Sequence, residues 1–131
     1  MYMLNTGFCI YVLKKRPDRL RQKFNEVKNI SISSITYAEL CFGIESGPAD
    51  LKQARWEQLD AFTRLLLIEP LDTDVGRHYG ALRVLFTGQG VSIGNNDLLI
   101  AAHARSIGAV LVTNNLREYS RIPDLTVENW L

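Results

Sequence analysis

Two short apolar runs, Tyr2-Met3-Leu4 and Ala109-Val110-Leu111-Val112, constrain the fold more than any other feature of the chain. Each is apolar throughout and stops at small polar residues: Asn5-Thr6-Gly7 after the first, Thr113-Asn114-Asn115 after the second. A strand with one face in water alternates in polarity, whereas a strand apolar at every position is covered on both faces, as in parallel sheets flanked by helices. Between the runs lie segments of helical period, so strands and helices alternate along the chain, and the pattern predicts an α/β fold with a parallel sheet between helices. In such sheets ligands bind beyond the carboxyl ends of the strands. That rule directs attention to Asn5, Glu39, Asp97 and the turn from Thr113 to Glu118.

The remaining elements follow from local signals. Helices are predicted over 8–15, stopped by Pro17, and over 18–27. The alternating Ile30-Ser31-Ile32-Ser33 is a strand, followed by a helix over 36–44 that ends at Gly47-Pro48. A long helix is expected over 49–67, a strand over 68–71 and a helix over 74–86. The stretch Ser92-Ile93-Gly94-Asn95-Asn96 is a loop that delivers Asp97 to the first turn of a helix running to Ile107, where Gly108 suits a left-handed cap. After strand 109–112 come a short helix over 116–119 and a last strand near 126–128.

At 131 residues the chain is read as one domain, 1–131, long enough to bury a core without disulfides or metal staples. Its apolar stretches fall well short of the roughly 20 residues of a membrane span, and its start lacks the features of a secretory signal, so a cytoplasmic location is expected. Cys9 and Cys41 have no ligand-spaced partners and are read as small buried hydrophobes. The net charge of +1 is unevenly spread, since residues 14–28 hold seven basic side chains against two acidic ones. Lys14, Lys15, Arg16 and Arg19 head this segment, which either attracts a phosphate backbone or is a solvated helix face.

Three carboxylates fall just past strands or at helix starts. Each has a purely structural reading: Thr36-Tyr-Ala-Glu39 matches a capping box, Asp97 suits a helix N-terminus, and Glu118 is flanked by Arg117 and Arg121. Their combination favours chemistry, because carboxylates gathered at one sheet edge repel one another unless a cation lies between them. Mg²⁺ or Mn²⁺, hard ions that prefer oxygen, suits such a set, activates water and stabilises a phosphodiester under attack. The amides of Asn95 and Asn96 add groups able to hold water or phosphate nearby. His78 and His103 lack ligand-spaced partners, and no nucleophile elbow, phosphate loop or dinucleotide fingerprint occurs.

Four ordered blocks carry a more specific signal: Tyr2-Met-Leu-Asn5-Thr6; Ser33-Ser-Ile-Thr-Tyr-Ala-Glu39-Leu; Ile93-Gly-Asn-Asn-Asp97-Leu-Leu-Ile-Ala-Ala-His-Ala; and Leu111-Val-Thr113-Asn-Asn115-Leu-Arg-Glu118-Tyr. With these the sequence resembles the PIN-domain ribonucleases, and among them the VapC toxins of type II toxin–antitoxin systems, over essentially its whole length. The resemblance implies an α/β/α sandwich around a central parallel five-stranded sheet. It implies a Mg²⁺- or Mn²⁺-dependent endoribonuclease acting on tRNA, initiator tRNA being the first candidate. It also implies a VapB-type antitoxin whose tail covers the acidic site, a homodimer, and a heterotetramer or larger assembly with the antitoxin.

Carried over by position, Asn5, Glu39, Asp97 and Glu118 take the family's catalytic positions, with Asn5, Glu39 and Asp97 at metal-ligand positions and Glu118 an outer acid. Thr113, Asn96 and Asn115 are supporting residues, and Lys14, Lys15, Arg16 and Arg19 are the RNA-binding set. Where the family has Asp after the first strand, this chain has Asn5. An amide oxygen still approaches a metal, but a full negative charge is lost, which implies a folded, antitoxin-competent nuclease that is impaired or inactive. The rival reading is a non-catalytic module that binds RNA or antitoxin; a metal-dependent phosphatase on a similar sheet is more distant.

Overall fold

A computed structural model describes all of residues 1–131. Its centre is a five-stranded, wholly parallel sheet in the order β3-β2-β1-β4-β5, formed by β1 (Tyr2–Leu4), β2 (Ile30–Ser33), β3 (Leu67–Glu69), β4 (Val110–Val112) and β5 (Val127–Glu128). Helices α1 (Thr6–Lys15), α2 (Asp18–Glu26), α3 (Ser34–Glu45) and α4 (Lys52–Thr63) belong to the first half of the chain. The second half adds α5 (Thr73–Gly88), α6 (Asn95–Ser106) and the single turn α7 (Leu116–Tyr119).

Alternate residues of β1 and β4 point to opposite faces, which explains their unbroken apolar character. Met3 and Leu111 join α5 and α6 in one core with Val75, Leu82, Phe86 and Ile100, while Leu4 and Val112 join α1, α3 and α4 in another with Phe8, Ile32, Leu59 and Phe62. The expected α/β/α layering is therefore present, with both faces of the sheet covered.

The structure corrects several boundaries, each for a local reason. α1 begins at Thr6 rather than at residue 8, because Asn5 serves as its N-cap. α3 begins at Ser34, capped by Ser33. The long helix expected over 49–67 is a 3₁₀ turn (Ala49–Leu51) followed by α4, which ends at Thr63; Leu67 pairs with Ser31, and Pro70, which has no N–H to donate, limits the strand to Glu69. α5 is longer than expected, starting at Thr73 behind the cap Asp72 and continuing through Gly88. Cys9 is fully buried, and burial pushes its thiol up, whereas Cys41 is only half-buried. No helix is long and apolar enough to cross a membrane.

His103 belongs to the core. It is 1% exposed, and its Nδ1 lies 2.8 Å from Ser33 Oγ, which also accepts from Ile35 N–H. This contact ties α6 to the end of β2, with the imidazole neutral. Burial pushes the His103 pKa down against the opposing pull of Glu69 and Asp72. A depressed histidine stabilises the fold fully above its unfolded pKa of about 6.5, and that contribution is lost as pH falls towards the lower folded value. Unfolding free energy measured from pH 7.5 downwards is thus expected to fall more steeply for the wild type than for His103→Gln. Identical slopes would refute the neutral assignment.

Candidate active site

The carboxyl ends of β2, β1 and β4 lie side by side, and the chain leaves β1 and β4 in opposite lateral directions, since β2 and β3 lie on one side and β5 on the other. Crevices open at such a switch point. Asn5 and Thr113 stand there, each one residue past its strand, with Asn5 N–H donating to Val112 O at 2.9 Å. Both side chains are buried, Asn5 at 5% and Thr113 at 0% exposure.

The orientation of Asn5 follows from its bonds. Oδ1 accepts from Phe8 N–H at 2.8 Å, which caps α1, and Nδ2 donates to Thr113 Oγ1 at 2.9 Å. A flipped amide would set two donors against each other at Phe8, so the capping bond fixes the assignment. Thr113 Oγ1 also accepts from Asn115 N–H at 3.0 Å. Asn115 in turn caps α7: its Oδ1 accepts from Glu118 N–H, and its Nδ2 donates to Glu118 Oε2 at 2.9 Å. Four predicted site residues, Asn5, Thr113, Asn115 and Glu118, thus form one continuous hydrogen-bonded chain.

Glu39 enters from α3. Its Oε1 accepts from the Thr6 hydroxyl at 2.7 Å and its Oε2 from Asn96 Nδ2 at 3.4 Å. The capping-box reading of Glu39 is overturned, because α3 starts two residues before Thr36 and the Thr36 hydroxyl instead lies 3.1 Å from that of Thr6. Asp97, in the first turn of α6, lies between the other two acids electrostatically. Burial and then the Glu39 charge push its pKa up, opposed by the nearby Tyr119 hydroxyl. Burial and then the Asp97 charge push Glu118 up, opposed by Arg121 and the Asn115 bond. Glu118 makes no ion pair, so its reading as an arginine-paired surface residue fails as well.

The acids therefore form a row, Glu39–Asp97–Glu118, with no three drawn close enough to hold an ion as they stand. The donors are all oxygen, and two are raised by burial and then by a neighbour's charge, which a hard divalent cation would offset. Side chains that sequence reasoning missed complete the corner. Thr6 holds Glu39, and Tyr119, 2% exposed, lies close enough to Asp97 for that charge to act on its hydroxyl. Burial and the Asp97 charge push that hydroxyl up, so it remains a donor. Its position directly after Glu118 was the available signal, but an aromatic in a short helical piece reads as core.

The basic set divides. Lys14, Lys15, Arg16 and Arg19 are all exposed around the junction of α1 and α2, and only Lys14 reaches the acids' surroundings, sharing a groove of about 330 Å³ with Glu39. Ile10, Leu13, Leu40 and Ile44 supply that groove's apolar wall.

Comparison with known proteins agrees with this geometry. The family described as PIN domain matches residues 2–125. Ribonuclease VapC2 of Rickettsia felis is 42% identical over 99% of this chain and 98% of its own length. The tRNA(fMet)-specific endonuclease VapC of Salmonella typhimurium is 38% identical over 98% of this chain and 97% of its own. The solved structure of VapBC2 from Rickettsia felis bound to a promoter DNA fragment superposes with a TM-score of 0.93 at 40% identity, covering 99% of this chain and 98% of that one.

Proposed function

The chain belongs to the PIN-domain family, and from that premise we propose that it is the toxin of a VapBC-type toxin–antitoxin pair, a metal-dependent endoribonuclease acting on tRNA and weakened by Asn5. The observation that carries this reading is the acid row at the ends of three adjacent parallel strands, in a chain whose relatives are named as ribonucleases and as tRNA(fMet)-specific endonucleases. Initiator tRNA is accordingly the first substrate to test.

Glu39 and Asp97 would hold a Mg²⁺ or Mn²⁺ ion, with Glu118 as the outer acid. When bound, such an ion supplies activation of the attacking water and neutralises charge on the phosphodiester. The chain's own residues orient and buffer this charge. Thr6 and Asn96 donate to Glu39 and fix its two oxygens; the Tyr119 hydroxyl stands beside Asp97; Asn115 steers Glu118. Asn5 and Thr113 lock the corner between β1 and β4. Neutralising Lys14, Lys15, Arg16 and Arg19 together to Gln is expected to weaken tRNA binding and lower its salt dependence, as read by filter binding at several ionic strengths. An unchanged slope would reduce them to a solvated face.

The groove that begins at Glu39 supports the antitoxin part of the proposal, since its apolar wall fits a partner segment and its acidic end fits a basic side chain. Relatives solved as VapBC complexes support the same partner. Exposed Leu65, Leu67, Ile68 and Leu71, at and around the open edge strand β3, support a homodimer, assembling as a heterotetramer or larger with antitoxin. We place the protein in the cytoplasm, as a single domain over 1–131.

One observation favours a second reading. Asn5 spends its amide on capping α1 and on Thr113, so position 5 serves the fold without any metal; a non-catalytic PIN-like module binding RNA or antitoxin would look the same there. Incubating a tRNA pool with Mn²⁺ and either the wild type or Asn5→Asp separates the two. Cleavage by neither protein overturns the nuclease reading.

A further inference from the structure

Glu118 also lines a second concavity, of about 410 Å³, whose other walls are Asn115, Arg117 and Arg121, with no apolar residue among them. The one side-chain ion pair in the protein is Lys52 with Glu45, so neither guanidinium is locked in a salt bridge, although the Arg121 charge acts on Glu118 from a distance. Arg121 donates its Nε to the main-chain carbonyl of Glu118 at 3.3 Å, which anchors the root of its guanidinium and leaves the terminal nitrogens open to a ligand. The Glu118 carboxylate is held against Asn115 Nδ2.

Two unpaired guanidiniums in a shared polar hollow are an anion site. Their planar forks match phosphate oxygens, and guanidinium sheds water more easily than ammonium. The hollow adjoins the acid row, since Glu118 belongs to both. A free anion has no reason to choose a place beside three carboxylates, whereas a nucleic acid strand brings one phosphodiester to the acids and its neighbour alongside. Resting on the ribonuclease reading above, we infer that Arg117 and Arg121 form a phosphate-binding subsite that grips the RNA backbone next to the cleaved phosphodiester. Glu118 repels the bound phosphate and keeps it on the arginine side. Lys14, in the groove that holds Glu39, lies at the other end of the row, so cations bracket the acids along the path of the strand.

The test is fluorescence anisotropy with a short unstructured fluorescein-labelled RNA, titrated over a range of KCl concentrations. Arg117→Gln/Arg121→Gln is expected to bind more weakly whatever the RNA sequence and to lower the slope of log affinity against log salt by about 1.4, two contacts at about 0.7 each. The charge-matched control Arg64→Gln/Arg77→Gln, whose residues lie outside the hollow, keeps the wild-type slope. If the double variant does not fold by circular dichroism, each single variant lowers the slope by about 0.7. A wild-type slope in the arginine variants, with the wild type binding RNA, overturns the subsite alone. A wild type that binds no RNA overturns the ribonuclease reading and the subsite with it.

Discussion

Restoring a carboxylate at position 5, in Asn5→Asp, is expected to raise Mn²⁺-dependent cleavage of tRNA by about 100-fold or more, the range over which single electrostatic groups act in active sites. The substitution suits the corner. An aspartate oxygen still accepts from Phe8 N–H, and the Thr113 hydroxyl, which accepts from Asn5 Nδ2, reverses and donates instead. The added charge is buried at 5% exposure near Asp97, whose own carboxyl is already pushed up by burial and by Glu39. Without metal the variant should therefore melt below the wild type, and with Mn²⁺ above it, because an ion that binds only the folded state stabilises it. Calorimetric titration should show Mn²⁺ bound about tenfold or more tightly by the variant. Equal affinity and equal cleavage in the two proteins would remove position 5 from the metal site and leave Glu118 to complete it.

The second large effect is on stability. Phe8→Ala is expected to cost about 3–5 kcal/mol, a sizeable part of the roughly 5–15 kcal/mol that holds a domain together. Phe8 is wholly buried and packs edge-on against Trp130, with ring centroids 6.1 Å apart. Its main-chain N–H is the donor to Asn5 Oδ1, so the turn that fills the core is also the turn that aims the site corner. Urea titration should show a lower midpoint with an unchanged m-value. Phe8→Leu, which refills most of the volume, should lose less.

Strand positions were legible because strands leave a chemical mark: the apolar run Tyr2–Leu4 and the alternating Ile30–Ser33 fall where their residues predict, and Val110–Val112 lies within the predicted 109–112. Helix starts were less so. Asn5 and Ser33 look like strand ends, and only the structure shows each capping the helix that follows. Leu67 illustrates the limit of periodicity, since three consecutive leucines extend a helical pattern as readily as they begin a strand, and pairing with β2 decides. At the site, the residue types of Glu39, Asp97 and Glu118 pointed to oxygen-ligand chemistry, but their order in a row came from the packing of α3, α6 and α7. Thr6 and Tyr119 carried no sequence mark of their own. A threonine after a strand and an aromatic in a short helix are ordinary until the fold sets them against Glu39 and Asp97.

The hydrogen bond from Asn5 to Thr113 spans 108 residues of sequence. β1, the first strand made, pairs on one side with β2 and on the other with β4, so its second edge stays open until the last part of the chain has been synthesised. Contacts this distant in sequence form late in folding, and chains grow from the N-terminus at about 5–20 residues per second. A nascent chain that carries Asn5 and Glu39 still lacks Asp97, Thr113 and Glu118, and with them the acid row. The ribosome making this protein is therefore not exposed to an assembled site before β4 and α7 have emerged, and whatever activity the fold supports begins only after that.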